Sequence, residues 1–237
     1  MKTRLNKFLA ERGVCSRRQA DALIASGKVR VNGQMATLGL QVDEADDILV
    51  AGRHIEGERP DKIYLAFHKP VGIMTSVDPK AKDTVRSFLH LEPGVFPVGR
   101  LDVASSGLLL LTNDGELSEH ITHPRYDHEK EYIVTLDRNV RREDLRTMAE
   151  GMVILGSKTK PAVVKKIADN RFSIILTEGR NRQIRRMCET LGYEVKALKR
   201  VRVMNISLDD LVSGNTRPLR KKEIRDLRHL LGLREET

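Results

Sequence analysis

The chain has 237 residues, 40% hydrophobic and 32% charged, enough apolar material for a core and too much for a wholly disordered chain. Its longest apolar runs are short, such as Leu108–Leu111, which excludes a membrane helix of about 20 residues. The charged first thirty residues lack an apolar signal core, so no secretory peptide is expected.

The first predicted element is a helix carrying Leu5, Phe8 and Leu9 on one face, with Gly13 at its end. Ser16 and Gln19 have capping-box spacing, so a second helix follows with Ala20, Leu23 and Ile24 inward and Gly27 as its stop. Val29 and Val31 alternate with Lys28 and Arg30. Asn32-Gly33 then predicts a hairpin into Met35, and Asp47–Val50 reads as a further strand. A core of some fifty residues is marginal alone, so this is an accessory module. Cys15 lies within it and Cys188 far beyond. Two such cysteines predict neither a disulfide framework nor a cysteine zinc cluster, and fit a reducing cytoplasm.

The net charge of +9 is concentrated. Residues 1–30 hold eight basic side chains against two acidic, residues 180–202 hold the same, and the remainder is slightly acidic. Two basic segments on a near-neutral body fit a long polyanion such as nucleic acid. No amphipathic helix with a large apolar face accompanies them, so no membrane partner is expected.

The run Arg4–Leu9, then Cys15–Ala20 with its Arg17-Arg18 pair, then Gly27–Gly33, resembles the S-four RNA-binding domain. That resemblance covers residues 3 to about 50. It implies binding to structured RNA through Arg4, Arg17, Arg18, Lys28 and Arg30. The expected division is a binding domain over 1–52, a polar linker over 53–62, and a second domain over 63–237.

In the second domain, Ile63–His68, Leu108–Thr112, Glu131–Leu136 and Arg171–Thr177 read as strands, and Val95–Val98 as an extended stretch. Arg141–Met148, Asn181–Leu191 and Lys221–Leu231 read as helices. The expected class is α+β: a small N-terminal αα-hairpin domain plus a larger domain whose mixed, mostly antiparallel sheet is flanked by helices.

Candidate chemistry lies in that domain. Asp102, in Gly99-Arg100-Leu101-Asp102, follows the extended stretch and precedes an apolar strand. By itself it reads as a turn-former or a placed carboxylate, the turn being the commoner use. Gly179–Met187 is the densest cationic run and suits a loop entering a helix, where free N–H groups bind phosphate. On that helix Arg182 shares a face with Arg185 or Arg186, and Ile184 shares another with Met187. Tyr132 is one of only nine Tyr and Phe side chains, and there is no Trp, so rows of base-stacking aromatics are not expected. His120, His123 and His128 have only weak metal-site spacing: no cysteine is near and Pro124 interrupts a helix. No metal is expected.

Four motifs occur in order: Lys69-Pro70-x-Gly72, the run Gly99–Gly115, Lys130-Glu131-Tyr132, and Gly179–Met187. Together they resemble the RsuA/RluB/RluE/RluF branch of RNA pseudouridine synthases, whose members carry an N-terminal S-four domain, and the resemblance spans nearly the whole chain. Val103-Ala104-Ser105 departs from the commoner form of that loop. The resemblance implies isomerisation of a uridine in RNA, with no cofactor. It implies Asp102 as the catalytic carboxylate, acting as nucleophile or as base, Arg185 as the cation opposing it, and Tyr132 stacked on the target base. Arg100 would hold the opened RNA, and Arg180, Arg182 and Arg186 its backbone. Residues 126–137 and 179–205 resemble RluF-type members most, which implies a large-subunit ribosomal RNA uridine and a tRNA anticodon-loop uridine; small-subunit RNA is the alternative. A cytoplasmic monomer is expected. A non-catalytic RNA-binding assembly factor would share the charge, but would not need Asp102, Tyr132 and Arg185 together.

Overall fold

The computed structural model describes residues 2–55, 60–78, 80–92 and 94–233. The chain forms two compact units. One takes in the described residues up to Ile63 together with Glu92–Val95 and Asn113–Gly115, and the other takes in the rest.

In the first unit, β1 (Thr3–Arg4) leads into α1 (Leu5–Glu11), and α2 (Arg17–Ala25) follows. The predicted capping box is present: Gln19 N donates to Ser16 Oγ at 3.3 Å and Ser16 N to Gln19 Oε1 at 2.9 Å. Next come β2 (Val29–Val31), β3 (Gln34–Met35), β4 (Gln41–Val42), β5 (Ile48–Val50) and β6 (Arg53–His54). The Asn32-Gly33 turn has positive φ at both residues, as a tight hairpin requires, and joins β2 to β3. The small sheet runs β3-β2-β5-β6, and β1 pairs β4. Leu5, Phe8, Leu9, Ala20, Ile24, Val29 and Val31 make its core. Arg53 and His54 are therefore strand, paired with Val50 and Leu49, where a linker is expected from residue 53. Residues 56–59 of that linker, and 234–237 at the end of the second domain, lie outside the described residues.

The second unit is built on β7 (Tyr64–Lys69), α3 (Val85–Leu89), β8 (Phe96–Val98), β9 (Ser106–Thr112), α4 (Gly115–Thr122), β10 (Lys130–Leu136), α5 (Arg142–Glu150), β11 (Val153–Ile154) and β12 (Ser157–Lys158). It continues with β13 (Val163–Ala168), β14 (Arg171–Leu176), α6 (Gln183–Thr190), β15 (Val195–Val203), β16 (Ile206–Ser207), β17 (Thr216–Pro218) and α7 (Lys221–Leu230). The main sheet runs β13-β14-β10-β15-β9-β7-β17, with β16 beside β15 and β8 beside β9. Every pairing in it is antiparallel except that of β15 with β9.

That parallel pair divides the sheet, and each half has its own core. One core gathers Val134, Phe172, Ile174 and Leu198 with Leu145 and Met148 of α5 and Ile184 and Met187 of α6. The other gathers Ala66, Leu108 and Leu110 with Leu117 and Ile121 of α4 and Leu227 of α7. The junction is two residue pairs long, Ser106 with Lys199 and Gly107 with Arg200. Gly107 has φ +109°, and a Cβ there would lie 2.2 Å from the Arg200 carbonyl oxygen. Only glycine lets the two backbones approach this closely.

Candidate active site

A cleft of about 480 Å³ opens at this junction. Its walls come from the β8–β9 loop, the start of β10, the end of β14, the Gly179–Ile184 segment and β15. Asp102, Tyr132 and Arg182 line it, as do Arg100 and Arg180. The structure thus collects in one hollow residues from Val98 to Val203, far apart along the chain.

Asp102 is partly exposed on the β8–β9 loop. Its carbonyl accepts from Ser105 N at 3.0 Å, closing a turn, so the turn and the placed carboxylate coexist. The loop is fixed at several points. Thr75 Oγ1 donates to Leu101 O at 2.8 Å and accepts from Leu101 N at 3.2 Å. Gly72 N donates to Val103 O at 2.9 Å. Arg185 Nη2 donates to Ala104 O at 2.8 Å. Among the described residues the Asp102 carboxylate takes part in no hydrogen bond or ion pair, which leaves it free to meet a ligand.

Arg185 sits on α6, buried, with Nη1 donating to Val195 O at 3.1 Å. Burial and the neighbouring Arg182 depress its pKa, while Asp102 pulls it up. The cation expected opposite Asp102 therefore acts on it through space and through the Ala104 carbonyl, not through a direct ion pair. Tyr132 is half-buried on β10, with Ile174 and Arg200 as its neighbours across the two adjoining strands. A β-bulge between Glu131 and Tyr132 shifts the register there, a device that re-aims side chains beside functional sites.

The other predicted cations divide into committed and free. Arg180 is committed: Nε donates to Glu178 Oε2 at 3.0 Å, and the other nitrogens to Ser157 and to the Lys158 carbonyl. Arg186 bonds Asn181 through Nε at 3.1 Å and Nη2 at 3.2 Å. Arg182 and Arg100 are exposed. Arg182 occupies the N-cap of α6 with φ +50°, so it precedes the helix and does not share a face with the buried Arg185. In the first unit Arg4, Arg17, Arg18, Lys28 and Arg30 are all exposed, with Arg30 Nη1 donating to Gly33 O at 3.0 Å. The three histidines gather around one ring: His120 and His128 each stack on Tyr126, at 5.2 and 5.6 Å, and His123 meets that ring edge-on at 6.0 Å.

Three buried or half-buried cations have no site role assigned from sequence, although Lys69 and Lys130 stand in two of the ordered motifs. Arg200 is 3% exposed on the floor of the cleft. Lys130 is half-buried there, with Nζ donating to His128 O at 2.9 Å. Lys69 is fully buried at the end of β7, its Nζ donating to Pro70 O at 2.9 Å and Ile73 O at 2.8 Å. Burial lowers the Lys69 pKa to about 8; Asp102 opposes the shift and Arg200 adds to it. The local signal was present, because Lys-Pro after a strand leaves two loop carbonyls to satisfy, but burial of the ammonium depends on tertiary packing. A consequence follows for stability. Between pH 8 and the ordinary lysine value near 10.5, the unfolded chain binds more protons at this site than the native one. Lys69 therefore makes unfolding free energy rise with pH across that window. Urea titrations of wild type and Lys69→Met at pH 7.5 and pH 10 are expected to show the variant gaining less on the shift; equal gains overturn the assignment.

A second hollow of about 540 Å³ is lined by Asp137, Arg138, Arg182, Arg185, Glu189 and Tyr193, so Arg185 lines this hollow and not the Asp102 cleft; in it Arg138 pairs with Asp137 and stacks over Tyr193. It offers no free reactive group comparable to Asp102.

A family model described as RNA pseudouridylate synthase matches residues 63–190, and one described as S4 domain matches residues 3–48. Over 229 residues the chain is 47% identical to the dual-specificity RNA pseudouridine synthase RluF of Escherichia coli strain K12, covering 96% of this chain and 79% of that protein. It is 39% identical over 236 residues to the ribosomal large subunit pseudouridine synthase B of Bacillus subtilis strain 168, covering 96% of each. A crystal structure of a pseudouridylate synthase superposes with a TM-score of 0.70 at 33% identity, covering 94% of this chain and 99% of that one.

Proposed function

The chain belongs to the RNA pseudouridylate synthase family and is an isomerase with an S4 RNA-binding domain, and from that premise we propose that Asp102 carries the reaction on a uridine of large-subunit ribosomal RNA and on a tRNA anticodon-loop uridine. The observation that carries the assignment is the unpaired Asp102 carboxylate, set in a cleft with Tyr132 and held among buried cations.

In the isomerisation the bond between uracil N1 and ribose C1′ breaks, the base rotates, and C5 bonds to C1′. The hydrogen on C5 leaves and N1 gains one, so no electrons are exchanged. Asp102 attacks the detaching unit or takes a proton during elimination. Tyr132 stacks on the extruded base, and its hydroxyl or a bound water assists proton removal at C5. Extrusion of a base from structured RNA exposes backbone at the cleft mouth, where the exposed Arg100 and Arg182 stand. Arg180 serves differently from the sequence expectation, as a clamp between Glu178 and the β11–β12 hairpin.

Two relatives bear on the substrate: one is named for dual specificity and the other for the large ribosomal subunit. Tritium release from uridine C5 tests the reading with transcripts of large-subunit RNA, small-subunit RNA and tRNA. Release is expected from the first and the last. Release from small-subunit RNA alone overturns the substrate assignment. The site of action is the cytoplasm and the working form is a monomer, which sedimentation with and without RNA checks.

We assign residues 1–52 the role of a separate RNA grip, since their exposed arginines accompany no candidate catalytic group. Linking two weak contacts raises affinity without changing the chemistry. Deleting 1–52 is expected to weaken RNA binding by about 10²-fold and to leave single-turnover rates at saturating RNA within about threefold. Lost chemistry with normal binding refutes this division.

A further inference from the structure

Arg200 makes contacts that the reading above does not use. Its Nε donates to Leu108 O at 2.7 Å and its Nη1 to Arg100 O at 3.4 Å. Those two carbonyls bracket the segment that carries Asp102: Arg100 lies two residues before it, and Leu108 closes the loop inside β9. Arg185 holds Ala104 between them. One guanidinium therefore spans both ends of the Asp102 loop, and a second holds its middle.

The placement of Arg200 follows from the junction described above. Arg200 is the β15 residue paired with Gly107 on one side and Tyr132 on the other. The absent side chain at Gly107 leaves the backbones in near contact, so a long side chain from β15 reaches the loop carbonyls across β9. A planar fork of five N–H donors meets two separated carbonyls at once, whereas an ammonium is a point donor on a flexible stem. Arg200 is 3% exposed, and among the described residues no carboxylate pairs with it and its Nη2 is buried without a hydrogen-bond partner. A desolvated donor left unpaired is a cost to folding, so the fork is not simply optimised as a structural clamp.

We propose that Arg200 is a positioning residue for the isomerisation: by bridging the Arg100 and Leu108 carbonyls it fixes the Asp102 carboxylate relative to the base held at Tyr132. This rests on the assignment of Asp102 above. The role acts on the bound complex, not on capture of RNA, because Arg200 is on the floor of the cleft and the exposed arginines stand at its mouth. A displacement of about 1 Å in a reacting group costs on the order of 10²-fold in rate.

The experiment compares wild type, Arg200→Lys, Arg200→Ala and Asp102→Asn, full length, in single-turnover tritium release at saturating RNA. RNA dissociation constants and urea unfolding are measured in parallel. Arg200→Lys keeps the charge and is expected to lose at least about tenfold in rate with RNA affinity within about threefold. Arg200→Ala is expected to lose about 10²-fold in rate, part of it restored by added methylguanidinium, which a merely destabilised fold would not recover. Wild-type rate in Arg200→Lys overturns the bridging role, as does loss of affinity with unchanged rate at saturation. If Arg200→Ala does not fold, Arg200→Lys alone decides. An active Asp102→Asn overturns the Asp102 assignment itself, whereas an inactive Asp102→Asn beside a fully active Arg200→Lys overturns only the bridge.

Discussion

Asp102→Asn is expected to abolish tritium release from uridine C5, with a rate loss of about 10⁴-fold, the upper end of what removing a proton-transferring group costs. The substitution keeps size and polarity, and the loop does not depend on the carboxylate. Its fixed points are the Leu101 amide and carbonyl on Thr75, the Val103 carbonyl on Gly72, the Ala104 carbonyl on Arg185 and the Arg100 and Leu108 carbonyls on Arg200. The unfolding midpoint should therefore match wild type. RNA affinity is expected to hold or to increase, because the variant removes a negative charge from a site that receives a polyanion. An unaffected rate would remove Asp102 from the chemistry. A parallel loss of affinity would mean that the carboxylate holds RNA and does not transform it.

The second large effect is structural. Gly107→Ala is expected to destabilise the fold by on the order of 4 kcal/mol or more, within the range reserved for severe single substitutions. The added Cβ would sit 2.2 Å from Arg200 O and 2.6 Å from Arg200 N. Both are backbone atoms in a paired strand, so neither turns aside as a flexible side chain would. The φ of +109° adds strain of its own for any residue with a Cβ. Gly115→Ala is the control: a Cβ there meets nothing within 4 Å, and a change within about 0.5 kcal/mol is expected. Urea denaturation of both variants checks the contrast, and a wild-type midpoint in Gly107→Ala would show that the junction has more slack than its geometry admits.

What the sequence disclosed was governed by local chemistry. The Ser16–Gln19 capping box, the Asn32-Gly33 hairpin and the alternation of Phe172, Ile174 and Leu176 each depend on neighbours a few residues away, and each is present. β13 gave no such signal, because as an edge strand it is exposed along almost its whole length and has no buried face to alternate. β15 was hidden differently: its basic residues read as part of a surface charge run, yet Arg200 is buried in the cleft. The candidate site divided along the same line. Asp102 and Tyr132 came from ordered motifs and line one cleft. The commitment of Arg180 to Glu178, the indirect hold of Arg185 on the Asp102 loop, and the burial of Lys69 all depend on partners brought close only by the folded sheet.

The two-residue parallel junction also sets an order of events as the chain folds. Arg200 reaches partners 92 and 100 positions earlier, so the cleft floor is closed by long-range contacts. Closing such loops is slow compared with forming helices and hairpins, because chain entropy is lost before any contact repays it. Each half of the sheet has an apolar cluster of its own to gather first. In refolding, the far-UV signal of helix and strand therefore precedes the return of a competent cleft, and a chain with most of its secondary structure is still an inactive one.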